Sequence, residues 1–181
     1  MTLDYGQIDI EFENRIKSKL GCAVIIAGSG SDGEHVEKIV KSLGRYNIPN
    51  LARVCSAHKQ PKEIMNIVEA YNSVAGSMVF VAVAGGIDSL SGILSYLSLH
   101  PVISCPPDGL KNDSCFRNPS GSSNATIYEP ENVGRFVAQM YSGVNDEIRG
   151  LLSSRILIKS DYLKQDDSRF QGRIFAWEKN K

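Results

Sequence analysis

Residues 22–44, CAVIIAGSGSDGEHVEKIVKSLG, open with an apolar, β-branched run, Cys22 to Ala27, and pass through a glycine- and serine-rich turn. They then place Val36, Ile39, Val40 and Leu43 at i, i+3, i+4 and i+7. Six apolar residues without polar alternation read as a strand covered on both faces, the condition of a strand inside a parallel sheet. The stripe that follows predicts an amphipathic helix, with Ser31-x-x-Glu34 as a capping box and Gly44 as its stop. Strand, tight turn and helix together form the repeating unit of an α/β domain.

The unit recurs along the chain. Leu51–Cys55 reads as a second strand, Pro61 as a first helical residue, and Ile64, Ile67, Val68 and Tyr71 as the next stripe, ending before Gly76. Met78–Ala84 is the longest strand-like run, followed by a stripe of Leu90, Ile93, Leu94 and Leu97. Val102–Cys105 is a fourth strand stopped by Pro106-Pro107, and Ala125–Tyr128 a fifth. Pro130 then opens a helix carrying Val133, Phe136, Val137 and Met140. Five strands alternating with four helices predict a flavodoxin-like three-layer α/β/α sandwich on a five-stranded parallel sheet with right-handed crossovers. This core is expected over residues 22–143.

Two segments stand outside the alternation. Residues 1–21 form an N-terminal helical extension with Ile8, Phe12, Ile16 and Leu20 at helical spacing. Residues 144–181 hold a C-terminal helix of about 20 residues from near Asn145, with a loose tail expected after Gln171. That helix carries Ile148, Leu151, Leu152, Ile156 and Leu163. So much apolar surface is expected to pack on the sandwich or on another subunit, which points to a homo-oligomer.

Composition narrows the function. Of 181 residues, 42% are hydrophobic, enough for a proper core, and 20 Lys+Arg balance 20 Asp+Glu. A chain with no net charge has no global field for nucleic acid or an anionic membrane, so neither is an expected partner and any anion must be held by local geometry. No apolar run approaches the length of a membrane span, and the acidic start (Asp4, Asp9, Glu11, Glu13) is unlike a secretory signal, so a cytoplasmic protein is expected. Its four cysteines, Cys22, Cys55, Cys105 and Cys115, lack zinc-ligand spacing and are expected to be free thiols rather than metal ligands.

Ligands of an open parallel sheet bind beyond the carboxyl ends of its strands. Four loops should gather there: Gly28-Ser-Gly-Ser-Asp-Gly33, Ser56-Ala-His-Lys-Gln-Pro61, Gly85-Gly-Ile-Asp-Ser89, and the segment from Pro106 through Arg117-Asn-Pro-Ser-Gly121. The first feeds a helix N-terminus, where free N–H groups and the helix dipole favour phosphate, with the hydroxyls of Ser29 and Ser31 as further donors. Its letters also match the Gly-x-Gly-x-x-Gly dinucleotide fingerprint, so an NAD(P) oxidoreductase is a rival, although Cys55-Ser-Ala-His-Lys59 stands where an acidic ribose ligand is expected. A plain tight turn is the third reading of the same loop. In the second loop, His58 suits a general acid/base and Lys59 a phosphate partner. His35 and His100 are expected to be structural or solvated.

Five of these motifs, Gly28-Ser-x-Ser-Asp32, Ser56-Ala-His-Lys59, Ala82-Val-Ala-Gly85, Val102-Ile-Ser-Cys-Pro-Pro107 and Arg117-x-Pro-Ser-Gly121, occur in the order seen in the aminoimidazole ribonucleotide (AIR) carboxylases. Over roughly residues 22–142 the chain resembles that family, and Lys59 with the Pro-Ser-Gly ending resembles its carbon-dioxide-using class. The resemblance implies a cofactor-free lyase of purine synthesis that interconverts AIR plus carbon dioxide and carboxyaminoimidazole ribonucleotide (CAIR). It implies that Ser29, Ser31 and Lys59 hold the phosphate and Asp32 the ribose hydroxyls. Ser56 would build the wall and His58 would carry the ring-carbon proton, while Gly28, Gly85, Gly86 and Leu90 would line the substrate. It further implies an octamer or tetramer.

Two segments depart from the pattern, the first being the span from Pro107 to Arg117, which is shorter than expected for the carbon-dioxide-using class. In the second, where that class continues Arg-Ser-Asn, this chain has Gly86-Ile87-Asp88. If Asp88 faces the substrate's carboxylate, like-charge repulsion would favour decarboxylation and make Asp88 a catalytic residue; the alternative is that it caps the helix at Asp88-Ser-Leu-Ser. A non-catalytic ribonucleotide-phosphate binding protein is the remaining alternative.

Overall fold

The computed structural model describes residues 4–171, so the tail expected to be loose after Gln171 lies outside the described residues. Five strands, β1 (Ala23–Ala27), β2 (Asn50–Val54), β3 (Val79–Val83), β4 (Val102–Ser104) and β5 (Ala125–Thr126), form one sheet in the order β2-β1-β3-β4-β5. Every pairing is parallel. From β1 the chain moves outward to β2, then crosses to β3 and continues the other way, so the order reverses between β1 and β3. A crevice opens at such a reversal because the flanking loops diverge.

Alternation along each central strand builds two cores. Val24, Ile26, Phe80 and Ala82 face one side, where α1 (Ile10–Lys17), α3 (Pro61–Asn72) and α4 (Ser89–Leu97) cover them. Ala23, Ile25, Val79, Val81 and Val83 face the other side, under α2 (Gly33–Gly44), α5 (Pro130–Tyr141) and the first turns of α6 (Asp146–Gln171). This is the expected three-layer sandwich, with β1 and β3 buried along their whole length.

Local details differ where tertiary contacts overrule pattern. The Ser31-x-x-Glu34 capping box does not form: a 3-10 turn over Gly30–Asp32 precedes α2, and the Ser31 hydroxyl donates to Ser29 Oγ at 2.8 Å. The fifth strand is only two residues long. In α5, Phe136 is 38% exposed despite its place in the stripe. The C-terminal helix runs for 26 residues and buries only Ile148 and Leu152, while Ile156 and Leu163 stay more than half exposed. Its apolar surface is therefore covered by the sandwich over about the first two turns and left open beyond them. All four cysteines are free and buried; burial pushes the Cys22 and Cys105 thiols up to about 12, which keeps them protonated and unreactive.

Candidate active site

The carboxyl ends of β1, β2 and β3 open into a cleft of about 300 Å³. The first wall begins at Ser29, whose extended backbone (φ −150°, ψ 149°) turns its hydroxyl back over the loop, where Oγ accepts from the Ser31 amide at 3.3 Å. Gly28, Ser29, Ser31 and Asp32 all line the cleft at the N-terminal end of α2. Gly30 and Gly33 do not line it, and a Cβ at either would meet open space, so no close approach requires the fingerprint glycines there. Asp32 is partly buried. Burial is the main reason that its carboxyl is raised above the ordinary range; the Asp108 carboxylate adds to this, while hydrogen bonding to Ser29 and the His35 imidazole oppose it.

The second wall is a tight turn. Gln60 N–H donates to Ser56 O at 2.7 Å and Lys59 N–H to Ser56 Oγ at 3.4 Å, after which Pro61 starts α3. That closure projects the exposed His58 and Lys59 into the cleft beside Ser56 and Ala57. His58 Nε2 lies 2.7 Å from Ser89 Oγ, and Ser89 is the first residue of α4. The hydroxyl can donate to a neutral imidazole and accept from a protonated one, so His58 keeps this partner in both protonation states. Sequence reasoning did not single out Ser89. Its position at the end of the third strand loop was the only available signal, and spacing does not say which way a first-turn side chain points.

The third wall corrects two expectations. Gly85 and Leu90 line the cleft, as does Ile87, but Gly86 and Asp88 do not. Gly86 turns away at φ +69°, a left-handed conformation suited to glycine, and its amide donates to Asp108 Oδ2 at 2.6 Å. Asp88 is 4% exposed, and both its oxygens are engaged inside the protein. Oδ1 accepts from the Ser91 amide at 2.8 Å as the N-cap of α4, and Oδ2 accepts from the Ser104 hydroxyl at 2.7 Å. Its carboxylate is a helix cap, and it cannot meet a ligand's charge while it satisfies both donors. Asp88→Asn, which can still cap, is expected to melt close to the parent protein. Asp88→Ala should lose about 1–2 kcal/mol in denaturant unfolding, because the cap goes and the buried Ser104 hydroxyl loses its acceptor.

The fourth segment supports the third rather than lining the cleft. Asn112 Nδ2 donates to Ala84 O at 3.2 Å, and Ser114 Oγ accepts from the Asp88 amide at 2.8 Å. Arg117 pairs with Asp113. Asn118, Pro119 and Ser120 line a separate, largely apolar groove of about 600 Å³ between α3 and α4, which Ser89 borders. His35 and His100 hold backbone carbonyls of Cys105 and Tyr71 at 3.1 and 3.4 Å, as structural histidines do. Among the described residues, no group of three or more His, Cys, Asp or Glu side chains could hold a metal ion, and no helix is long and apolar enough to cross a membrane.

Residues 22–157 match the family model of AIR carboxylase. A Homo sapiens bifunctional phosphoribosylaminoimidazole carboxylase/phosphoribosylaminoimidazole succinocarboxamide synthetase is 39% identical over 86% of this chain. The chain spans 38% of that relative's length. A phosphoribosylaminoimidazole carboxylase of Archaeoglobus fulgidus is 35% identical over 70% of this chain and 72% of its own. The crystal structure of Treponema denticola PurE superposes with a TM-score of 0.77 at 29% identity, covering 82% of this chain and 98% of that one.

Proposed function

The chain belongs to the AIR carboxylase family, and from that premise we propose that it is a carboxy-lyase interconverting AIR plus carbon dioxide and CAIR in cytoplasmic purine biosynthesis. The observation that carries the reading is the meeting of His58 with the Ser29/Ser31 turn in one cleft at the reversal of strand order. The α2 N-terminus, the two serine hydroxyls and Lys59 form a cradle for a phosphate dianion, and Asp32 offers acceptors to ribose hydroxyls. The imidazole then stands over the nucleobase end, beside Leu90 and Ile87.

In the carboxylation direction, the electron-rich ring carbon of AIR forms a C–C bond to carbon dioxide, and His58 takes the proton that this carbon releases. In reverse, protonated His58 returns that proton to the carbon, the C–C bond breaks, and its electron pair remains in the ring as carbon dioxide departs. Neither direction consumes an external oxidant or reductant, and a single imidazole serves both. Ser89 steadies it through the cycle. Since Asp88 is occupied as a cap, the charge argument for a decarboxylation bias loses its basis, and Asp88→Asn is expected to leave both directions within about twofold of the parent rate, well under the cost of losing one hydrogen bond to a charged group.

Following CAIR by ultraviolet absorbance with the purified protein tests the reading directly. Substrate consumption is expected; ligand-dependent thermal stabilisation without consumption would replace the lyase with a non-catalytic ribonucleotide-phosphate binder.

The protein is also proposed to act as a homo-oligomer. Ile156, Leu157, Ile158, Tyr162, Leu163 and Phe170 of α6 are each 52–65% exposed, far more apolar surface than a helix projecting into water normally carries. Sedimentation velocity is expected to show a species of at least four chains, consistent with a tetramer or octamer; a monomer at every concentration would overturn the assignment.

A further inference from the structure

The segment before α1 lies along the exposed edge of the sheet and is tied down at several points. Arg53 of β2 donates to the carbonyls of Asp4, Tyr5 and Gln7 at 2.9, 3.4 and 3.2 Å, and its guanidinium lies 5.3 Å from the centre of the Tyr5 ring. Held in this way, Tyr5 packs partly buried against the core, with its hydroxyl at the base of the second cleft loop. Gln60 Nε2 donates to that hydroxyl at 3.0 Å, while Gln60 Oε1 accepts from the Ser56 amide at 3.3 Å. The two ends of one amide thus connect the strap to the backbone of the loop that carries His58 and Lys59.

We infer that the strap of residues 4–7 positions the proton carrier and the phosphate lysine, through Tyr5 and Gln60 as positioning residues. The inference rests on the lyase reading of that loop and adds to it a device outside the segment 22–157 that matches the family. Ser56 and Gln60 bracket His58 at two residues on either side. The bonds across the turn, Gln60 N–H to Ser56 O and Lys59 N–H to the Ser56 hydroxyl, are local to it. Local bonds fix the shape of a turn but not its placement relative to the sheet. The Tyr5–Gln60–Ser56 chain supplies a tie to a segment anchored on β2, and an exposed catalytic loop needs such support to hold its side chains within a fraction of an ångström.

The test is a double-mutant cycle of Tyr5→Phe and Gln60→Ala in the full chain, read by amide exchange without ligand and by CAIR turnover. Tyr5→Phe keeps the ring over Arg53 and deletes only the hydroxyl. It is expected to speed exchange at the Ser56 and Lys59 amides about two- to tenfold, the worth of one neutral hydrogen bond, with β3 amides unchanged. kcat/KM should fall by a similar factor, and the double variant should be no worse than Gln60→Ala alone, since both changes cut one chain. Unchanged exchange at Ser56 in Tyr5→Phe, or losses that multiply in the double variant, would overturn the inference. Absence of turnover in the parent protein would remove the lyase reading, while the exchange result would still decide the positioning.

Discussion

Replacing His58 by asparagine is expected to lower CAIR turnover by about 10²–10⁴-fold, the usual contribution of a positioned general acid/base, while KM stays within a few-fold of the parent value. The split follows from the geometry. The proposed phosphate cradle, the α2 N-terminus with Ser29, Ser31 and Lys59, remains in the variant, and asparagine is a smaller polar group that fits the space of the exposed ring. What is lost is the imidazole held against Ser89, the group proposed to carry the proton. Thermal stabilisation by the ribonucleotide should therefore survive in a variant that no longer turns over. Equal turnover by parent and variant would take His58 out of the chemistry.

Gly134→Ala carries the largest expected cost to the fold. Gly134 lies in the middle of α5 where that helix crosses α2, and its amide donates to the Ser42 hydroxyl at 2.9 Å. A Cβ there would lie 2.0 Å from the Ser42 carbonyl oxygen and 2.7 Å from the Leu43 amide nitrogen, both backbone atoms that no rotamer change can move. Alanine's better helix propensity is worth at most about 1 kcal/mol. Separating two helices packed at backbone contact should exceed it, leaving a net loss of roughly 3 kcal/mol and a fall in Tm of about 6–12 °C. Gly150→Ala in α6, where a Cβ meets nothing, is the matched control and is expected to be neutral or slightly stabilising. A Gly134→Ala protein melting with the parent would show that α2 and α5 can part at no cost. Because α2 also presents the Ser29/Ser31 turn at its other end, the same variant should weaken substrate binding before it unfolds.

The order of strands and helices was legible in the chain because each element rests on short-range physics. Apolar runs of five or six residues between turn signals cannot be solvated as helix stripes, and i, i+3, i+4 stripes cannot alternate across a sheet. Since every connection is a crossover between parallel strands, their carboxyl ends share one edge, and the meeting of Gly28–Asp32 with Ser56–Lys59 follows from topology alone. His58 and the serine turn were accessible for that reason. The ends of elements were less legible. Ser31 was read as the cap of a box with Glu34, but the nearer Ser29 hydroxyl accepts from the Ser31 amide that the Glu34 carboxylate would have bound, a competition between neighbours that letters do not rank.

What the amino-acid sequence determined by itself, then, is the parallel sandwich, the edge on which chemistry collects and the family. Tertiary structure alone decided where particular polar atoms point. Asp88 could have faced a ligand or a helix end, and the buried Ser104 hydroxyl and the Ser91 amide settled it, because a carboxylate leaving them would orphan two donors in the interior. Ser89 meets His58, Tyr5 reaches Gln60 and Gly134 meets Ser42 across 31, 55 and 92 residues of chain. Periodicity encodes which face of an element is buried; it carries no information about which distant partner waits there, since that depends on the packing angles of whole helices and on the register of the sheet.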